Sequence, residues 1–575
     1  MVKRAKRGGP RNNFRVKRAW PVKKSTRLVA FLAVFVAIGA GWLLATHAAE
    51  AQLGSGLAMY PRAIRLAASG TANGRVLATA SATTGGVTDM VRVYESTDSG
   101  ASFHAISEIH DPQASGGRGS CCGSIYELPQ QLGAQPAGTL LFGTTVGMPN
   151  APGRSPEIRV WKSSDHGYTW SYLSSCAAAP NAAAGRGLWE PEFSMDARGY
   201  LNCFFSDDTQ YDESTGTGFD QTLAMATSTD GGVTWGAPHN VVAVTSSGGT
   251  TTRPGMATVR KLPNGTYMMS HEVCGHRPDA CIVRYRTSAD GWNWGDPADL
   301  GAIAQTPDGK RLFHAPTLAW TPGGGANGRI LLIGELVKDP SGNILRPASG
   351  TTIFANTENG AGSWYELASP VSVSFTTALP PEEMVCNNYS SSLLPSASGT
   401  SLLEVATKRA SDGTCTGYFA SGPTAGSGTA AGVSSGKLYR LQNVKSANCL
   451  DVSKGATTSG ANVQQWTCNG LNPQNWTITS KGSGYYTLVN KQSGKCLDVY
   501  KSSTVKGGNV DQWTCNGTSA QLWKIMEAGR SYYNLKSKVS GLCLDVQSGS
   551  VTPGANVQQW TCNNSAAQNW EFELR

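Results

Sequence analysis

From about residue 437 to the end, apolar and polar positions follow one pattern three times over. The passages are CLDVSKGATTSGANVQQWTCNGLNPQNW from Cys449, CLDVYKSSTVKGGNVDQWTCNGTSAQLW from Cys496 and CLDVQSGSVTPGANVQQWTCNNSAAQNW from Cys543. Short alternating runs broken by Gly, Asn and Ser predict strands joined by tight turns. Each unit spans about 47 residues and ends in Q-x-W, at Gln474–Trp476, Gln521–Trp523 and Gln568–Trp570. A unit that small cannot bury its apolar face alone, so the three copies must pack on one another as an all-β ring.

A fainter period runs from Gln52 to about Ala420. Ser96 to Phe103, Ser163 to Trp170 and Ser228 to Trp235 fit S-x-D-x-G-x-x-[WF]; Ser288 to Trp294 is one residue short, and Asn356 to Gly360 before Trp364 is a worn fifth copy. Their starts lie 60 to 68 residues apart, the length of one four-stranded propeller blade. The motif is a turn device: Ser and Asp side chains bond backbone amides, Gly takes a positive φ, and the aromatic packs between sheets. Residues 421–436 (SGPTAGSGTAAGVSSG) are uncharged, rich in Gly, Ser and Ala, and predict a flexible linker. The expected organisation is a leader over 1–51, a propeller over 52–420, a linker over 421–436 and a trefoil-like ring over 437–575.

Charge and cysteine content narrow the setting. The formal charge of +9 belongs to the leader: residues 1–27 carry eleven Lys and Arg and no acid. Residues 52–575 hold 37 basic against 38 acidic residues, so a nucleic-acid partner is not expected. Leu28–Thr46 is an uncharged apolar run of nineteen residues, followed by Ala49-Glu50-Ala51. That pattern predicts a secretory signal cut before Gln52, or an uncleaved membrane anchor over 28–46; either one exports residues 52–575. Fourteen cysteines suit an oxidising compartment. Cys449/Cys468, Cys496/Cys515 and Cys543/Cys562 share a spacing of nineteen, which predicts one bridge per copy. The other eight, including the adjacent Cys121 and Cys122, have no metal-site spacing and leave their partners open.

The three-copy segment resembles ricin-type β-trefoil lectins and family-13 carbohydrate-binding modules. The resemblance implies sugar contacts from Asp451, Gln464 and Trp466 in the first copy and from Asp545, Gln558 and Trp560 in the third. The second copy keeps Asp498 and Trp513 but has Asp511 in place of the Gln. A carboxylate accepts sugar hydroxyls while an indole covers the apolar face of the ring. The fivefold turn motif resembles the Asp boxes of the sialidase superfamily, whose fold is a six-bladed propeller.

Within that superfamily, Tyr60-Pro61-Arg62, Trp189-Glu190-Pro191-Glu192, Arg253-Pro-Gly-Met with Glu272 downstream, and Asn388-Tyr389-Ser-Ser-Ser resemble landmarks of family-93 glycoside hydrolases, the exo-arabinanases, which retain configuration with two glutamates. The resemblance implies a catalytic set of Glu190 as acid/base and Glu272 as nucleophile with Tyr389 bordering the pocket, and substrate binding by Arg62, Glu192 and Arg253. By strand alternation Glu192 shares a face with Glu190, so the two could exchange roles. A sialidase is the alternative enzyme, with Tyr389 and Glu272 as the nucleophilic pair, Asp89 as acid and Arg62, Arg253, Arg284 or Arg346 as the anion site; a sugar-binding propeller without catalysis is the third reading. His271, His276 and His314 match no common metal spacing. The whole reading is an all-β, monomeric, exported glycan-processing protein without cofactor or metal.

Overall fold

The computed structural model describes residues 50–575 apart from 85–86, 149–154, 213, 247–250, 276–279, 307, 323–326, 362–363, 425–432, 434, 483, 528–531 and 564. The leader through residue 49, most of the linker and His276 lie outside the described residues. Among the described residues no helix is long and apolar enough to cross a membrane.

Six antiparallel sheets follow one another along the chain. Their first strands are Met59–Arg65, Ser120–Glu127, Leu188–Met195, Arg253–Lys261, Thr317–Thr321 and Ser392–Pro395. Each first strand touches the next and the sixth touches the first, so these six line the axis of a six-bladed propeller. Clusters of buried Leu, Ile, Val and aromatic side chains fill the space between neighbouring sheets. The ring closes on the chain's early residues: Ala51–Gln52 forms the outermost strand of the sixth blade, with Ala51 opposite Phe419 and Gln52 opposite Tyr418.

The turn motif joins the third and fourth strands of blades one to five. In the first, Ser96 Oγ donates to Asp98 at 2.7 Å and accepts the Gly100 N–H at 2.8 Å; Ser163/Asp165/Gly167 and Ser228/Asp230/Gly232 repeat this. In the worn fifth copy the Asn356 side-chain oxygen alone accepts the Gly360 N–H at 2.9 Å.

The C-terminal segment is a twelve-stranded sheet with four strands from each copy, a β-trefoil. Trp476, Trp523 and Trp570 are fully buried, and their indole N–H groups donate to Leu450, Leu497 and Leu544 carbonyls at 3.1, 3.1 and 3.5 Å. Asn462 donates to Asn556, Asn556 to Asn509 and Asn509 to Asn462, each at 2.9 Å, in a closed cycle. All fourteen cysteines are paired. Cys449–Cys468, Cys496–Cys515 and Cys543–Cys562 lie within copies, and the propeller bridges are Cys121–Cys122, Cys176–Cys203, Cys274–Cys281 and Cys386–Cys415.

Candidate functional site

A repeated backbone irregularity builds one mouth of the propeller. Within the first four residues of an axial strand, or two residues before it in the last two blades, a non-glycine residue takes a positive φ: Tyr60 (51°), Cys122 (63°), Glu190 (58°), Met256 (58°), Ala315 (46°) and Ser390 (56°). In the first four blades a register shift in the pairing with the second strand falls at the same place. Such bulges re-aim side chains and recur beside active sites. Tyr60, Met256 and Ala315 form a buried apolar cluster, and Cys122 and Tyr389 pack against it. Glu190 is the one charged member of the ring.

Two residues further on, every axial strand carries a buried polar side chain: Arg62, Ser124, Glu192, Thr258, Thr317 and Ser392. Apart from Arg62 Nε, which is buried without a partner, this girdle is hydrogen-bonded within the propeller. Arg62 donates to the Ser390 carbonyl and hydroxyl at 2.9 Å each. Glu192 accepts from Ser124 at 3.0 Å and pairs with Arg260 at 2.5 Å. Arg62 and Glu192 also line a cavity of about 690 Å³ at the other end of the axial strands, with Arg65, Glu127, Met195 and Arg260. The alternation that places Glu192 on Glu190's face therefore breaks at the bulge. Glu190 turns to the mouth, whereas Glu192 and Arg62 are held inside the channel by partners of their own.

Glu190 sits among defined donors. Its Oε2 accepts from Ser206 Oγ at 2.6 Å and from the Met256 N–H at 3.2 Å. Burial pushes its pKa up to about 7, helped by the nearby charge of Glu272 and opposed by the Ser206 and Met256 bonds and by His314. Gly255, opposite Glu272 in the sheet register, fits between: a methyl group there would lie 2.5 Å from Gln221 Nε2, 3.1 Å from Ser206 Oγ and 3.6 Å from Glu190 Oε2.

Glu272 lies on the neighbouring second strand of blade four and accepts the Ala315 N–H at 2.7 Å. Next to it, His314 Nδ1 is hydrogen-bonded to the buried carboxyl of Glu335. Burial alone would lower the imidazolium pKa, but Glu272, Glu335 and Glu190 outweigh it and raise His314 to about 9. Burial likewise raises Glu335 to about 7, against the pull of His314. Three acids and one cationic histidine thus share the site.

Tyr389 completes it, with its ring 5.4 Å from His314 and 6.2 Å from Tyr60. Burial first, then Glu190 and Glu272, hold its hydroxyl well above the ordinary phenol range. Arg253 is at the rim, one-third exposed, bonded to Gln221 at 2.6 Å and to Asp208 at 3.3 Å; Asp208 also accepts from Trp189 at 3.3 Å. Glu272, Cys281 Sγ and His314 lie within 4.8 Å of one another, but Cys281 is bridged to Cys274 and has no thiolate to offer a metal. His271 is buried, bonded to the Leu300 carbonyl, and lowered to about 3 chiefly by burial. Sequence reasoning did not assign Ser206, His314 or Glu335 to the acid pair.

Each trefoil copy presents one exposed indole, Trp466, Trp513 or Trp560, beside its Asp. Asp451 is opposite Gln464, Asp498 opposite Asp511 and Asp545 opposite Gln558. Beside the third copy a hollow of about 600 Å³ is lined by Asp545, Gln558, Trp560, Asn563 and Lys445.

The family model of ricin-type β-trefoil lectin domain-like proteins matches residues 429–513, 479–560 and 519–574. No curated protein matches the chain in sequence. Among solved structures, the α-L-arabinanase of Penicillium chrysogenum complexed with arabinobiose is 25% identical, with 65% of this chain and 98% of that one covered at a TM-score of 0.51. The α-L-arabinofuranosidase of Fusarium graminearum in complex with an iminosugar inhibitor is 24% identical, with 64% and 94% covered at a TM-score of 0.50. The chain is therefore an all-β protein in which a six-bladed propeller, of the fold seen in these two structures, is followed by a ricin-type β-trefoil domain.

Proposed function

We propose that the chain is an exported glycoside hydrolase that removes sugar units from the ends of an arabinan-type polysaccharide with retention of configuration, while its trefoil holds the polysaccharide. The observation that carries this is the pair of carboxyls at one propeller mouth, Glu190 and Glu272, with Glu190 raised to about 7. Retaining hydrolysis needs one acid protonated near neutral pH and a second, ionised carboxylate. Glu190 gives its proton to the glycosidic oxygen as that bond breaks, and a Glu272 oxygen attacks the anomeric carbon. In the second half, Glu190 as carboxylate takes a proton from water, whose oxygen displaces Glu272. The Ala315 N–H donates to Glu272 at 2.7 Å, holding the attacking carboxyl in place, and Tyr389 borders the ring. The arabinobiose bound by the Penicillium chrysogenum arabinanase supports the substrate class.

The sialidase reading is less well supported. A tyrosine nucleophile needs an environment that favours phenolate, whereas burial and the surrounding carboxylates disfavour ionisation of Tyr389. The arginines are dispersed on separate partners: Arg62 on Ser390, Arg253 on Asp208 and Gln221, Arg284 on the Gly301 carbonyl and Arg346 on the Thr376 and Thr377 carbonyls. No convergent site for a substrate carboxylate forms among them.

The test is product analysis by mass spectrometry on arabinan, galactan and sialosides, with two variants. Glu272→Gln should abolish turnover with the fold intact. Glu190→Ala should lose less on substrates with an activated leaving group, which leave without protonation. Near-normal hydrolysis by Glu272→Gln on arabino-oligosaccharides would sink the assignment.

A further inference from the structure

The three trefoil faces share a backbone but not a charge. In the first copy Gln464 Nε2 donates to Asp451 at 3.0 Å, and in the third Gln558 Nε2 donates to Asp545 at 3.0 Å. In the second, the residue opposite Asp498 is Asp511, an acceptor where the other copies supply a donor. Asp498 is 7% and Asp511 1% exposed. Asp498 takes a hydrogen bond from Gln521, but both carboxylate oxygens of Asp511 are buried without any partner.

No cation reaches this pair among the described residues. Lys495 is turned to Thr514 Oγ1 at 3.4 Å, and Lys501 stands over the Tyr500 ring at 5.1 Å. Lys445 lines the third face and its charge acts on Asp545; the corresponding position for the second face, four residues before the next copy's first cysteine, is Val539. Two facing carboxylates in a partly desolvated setting cannot both stay charged at low cost. Burial, then the charge of Asp498, accordingly raises Asp511 to about 7. Beside them Trp513 is 43% exposed, matching Trp466 at 43% and Trp560 at 40%.

We propose that the second trefoil face is a site for a cationic sugar, a 2-amino-hexose whose ammonium group sits on the Asp498–Asp511 pair while its ring lies on Trp513. The proposal rests on the sugar-binding reading of the trefoil. An ammonium group carries three donors and a charge, which is what an acceptor-only pair lacks. A neutral hydroxyl supplies a single donor, and an N-acetyl group removes the charge. A calcium ion takes six to eight oxygen ligands, and two carboxylates do not make that set. The first and third faces, with Gln donating to Asp, present one negative charge already partly satisfied and suit neutral sugars.

The experiment is titration calorimetry on the full-length protein with galactosamine, N-acetylgalactosamine and galactose at pH 7.5 and low salt. Wild type should bind galactosamine at least about tenfold tighter than N-acetylgalactosamine, a difference of the size a charge-assisted contact supplies. Asp511→Gln, which rebuilds the amide of the other copies, and Asp511→Asn should both lose that preference and keep galactose binding. Asp451→Ala with Asp545→Ala should do the reverse. Galactose binding thus reports on the trefoil reading and galactosamine binding on this proposal, so the two fail separately. Equal affinity for the two amino sugars, a preference that survives both Asp511 variants, or a thermal midpoint raised by millimolar calcium in wild type alone would overturn it.

Discussion

Glu190 owes its candidate role to a balance that single side chains can tip. Burial and Glu272 push its pKa up to about 7, while the hydrogen bonds from Ser206 and the Met256 N–H and the charge of His314 push it down. The proposed chemistry uses Glu190 as the protonated acid, so kcat/KM should fall as pH climbs through about 7. Ser206 is the most accessible lever, because its hydroxyl stabilises the carboxylate form at 2.6 Å. Ser206→Ala removes a lowering contribution, so the Glu190 pKa should rise and the alkaline limb of the pH–rate profile should move to higher pH. A limb that stays in place, or moves down, would mean that another group sets it. Geometry separates Glu190 from Glu192: only two residues away, Glu192 is paired with Arg260 at 2.5 Å and bonded to Ser124, so its carboxyl is already engaged inside the channel.

At the level of elements, the axial strands act as a set of six matched bulges. Both repeat periods, the blade count, the trefoil and its three bridges were legible in the sequence, because turns and cysteine spacings recur at fixed intervals. The bulges were not, since strand alternation presumes an unbroken pleat and puts Glu190 and Glu192 on one face. Positive φ is usually announced by glycine, yet the six positions hold Tyr, Cys, Glu, Met, Ala and Ser. A faint signal exists: Tyr60, Glu190 and Ala315 are each followed by proline, the same punctuation in three of the six strands. His314 and Glu335 were out of reach for a different reason, as the pairing that joins them is long-range and neither belongs to a repeat. The inner strand of blade four also carries a testable constraint. Gly255→Ala would place a methyl group 2.5 Å from Gln221 Nε2 and 3.6 Å from Glu190 Oε2. Gln221 is a side chain that can yield, so the thermal midpoint should change little. Glu190 Oε2 would be at ordinary contact distance, but Ser206 Oγ, 3.1 Å from the methyl group, would have to give by a few tenths of an ångström and shift its hydrogen bond to Glu190; as misplacement by about 1 Å costs about a hundredfold in rate, the loss should be smaller than that. Equal rates for Gly255→Ala and wild type would show that Glu190 is not positioned by this contact.

Closure of the whole propeller depends on residues at the edge of the expected leader. The sixth blade takes its outermost strand from Ala51–Gln52, so the ring is fastened by pairing these two residues with Phe419 and Tyr418. Glu50 adds to the clasp: its carboxylate accepts the Ser372 N–H at 2.6 Å and forms an ion pair with Lys408. The small-residue pattern Ala49-Glu50-Ala51 predicts a cut before Gln52, which would remove Glu50 and half of this strand and leave the edge of the sixth blade unpaired at Phe419. Exposed strand edges are sites of fraying and of pairing with other chains. On the proposed export, intact-mass analysis of the processed chain should therefore place its first residue at or before Glu50. A chain produced from Gln52 should melt at a lower temperature than one produced from Ala49, and the difference should shrink at high salt as the Glu50–Lys408 pair is screened. An exported chain that begins at Gln52 and melts with the longer form would show that the Leu53–Gly417 backbone bond and the packing of Leu53 suffice to hold the ring shut.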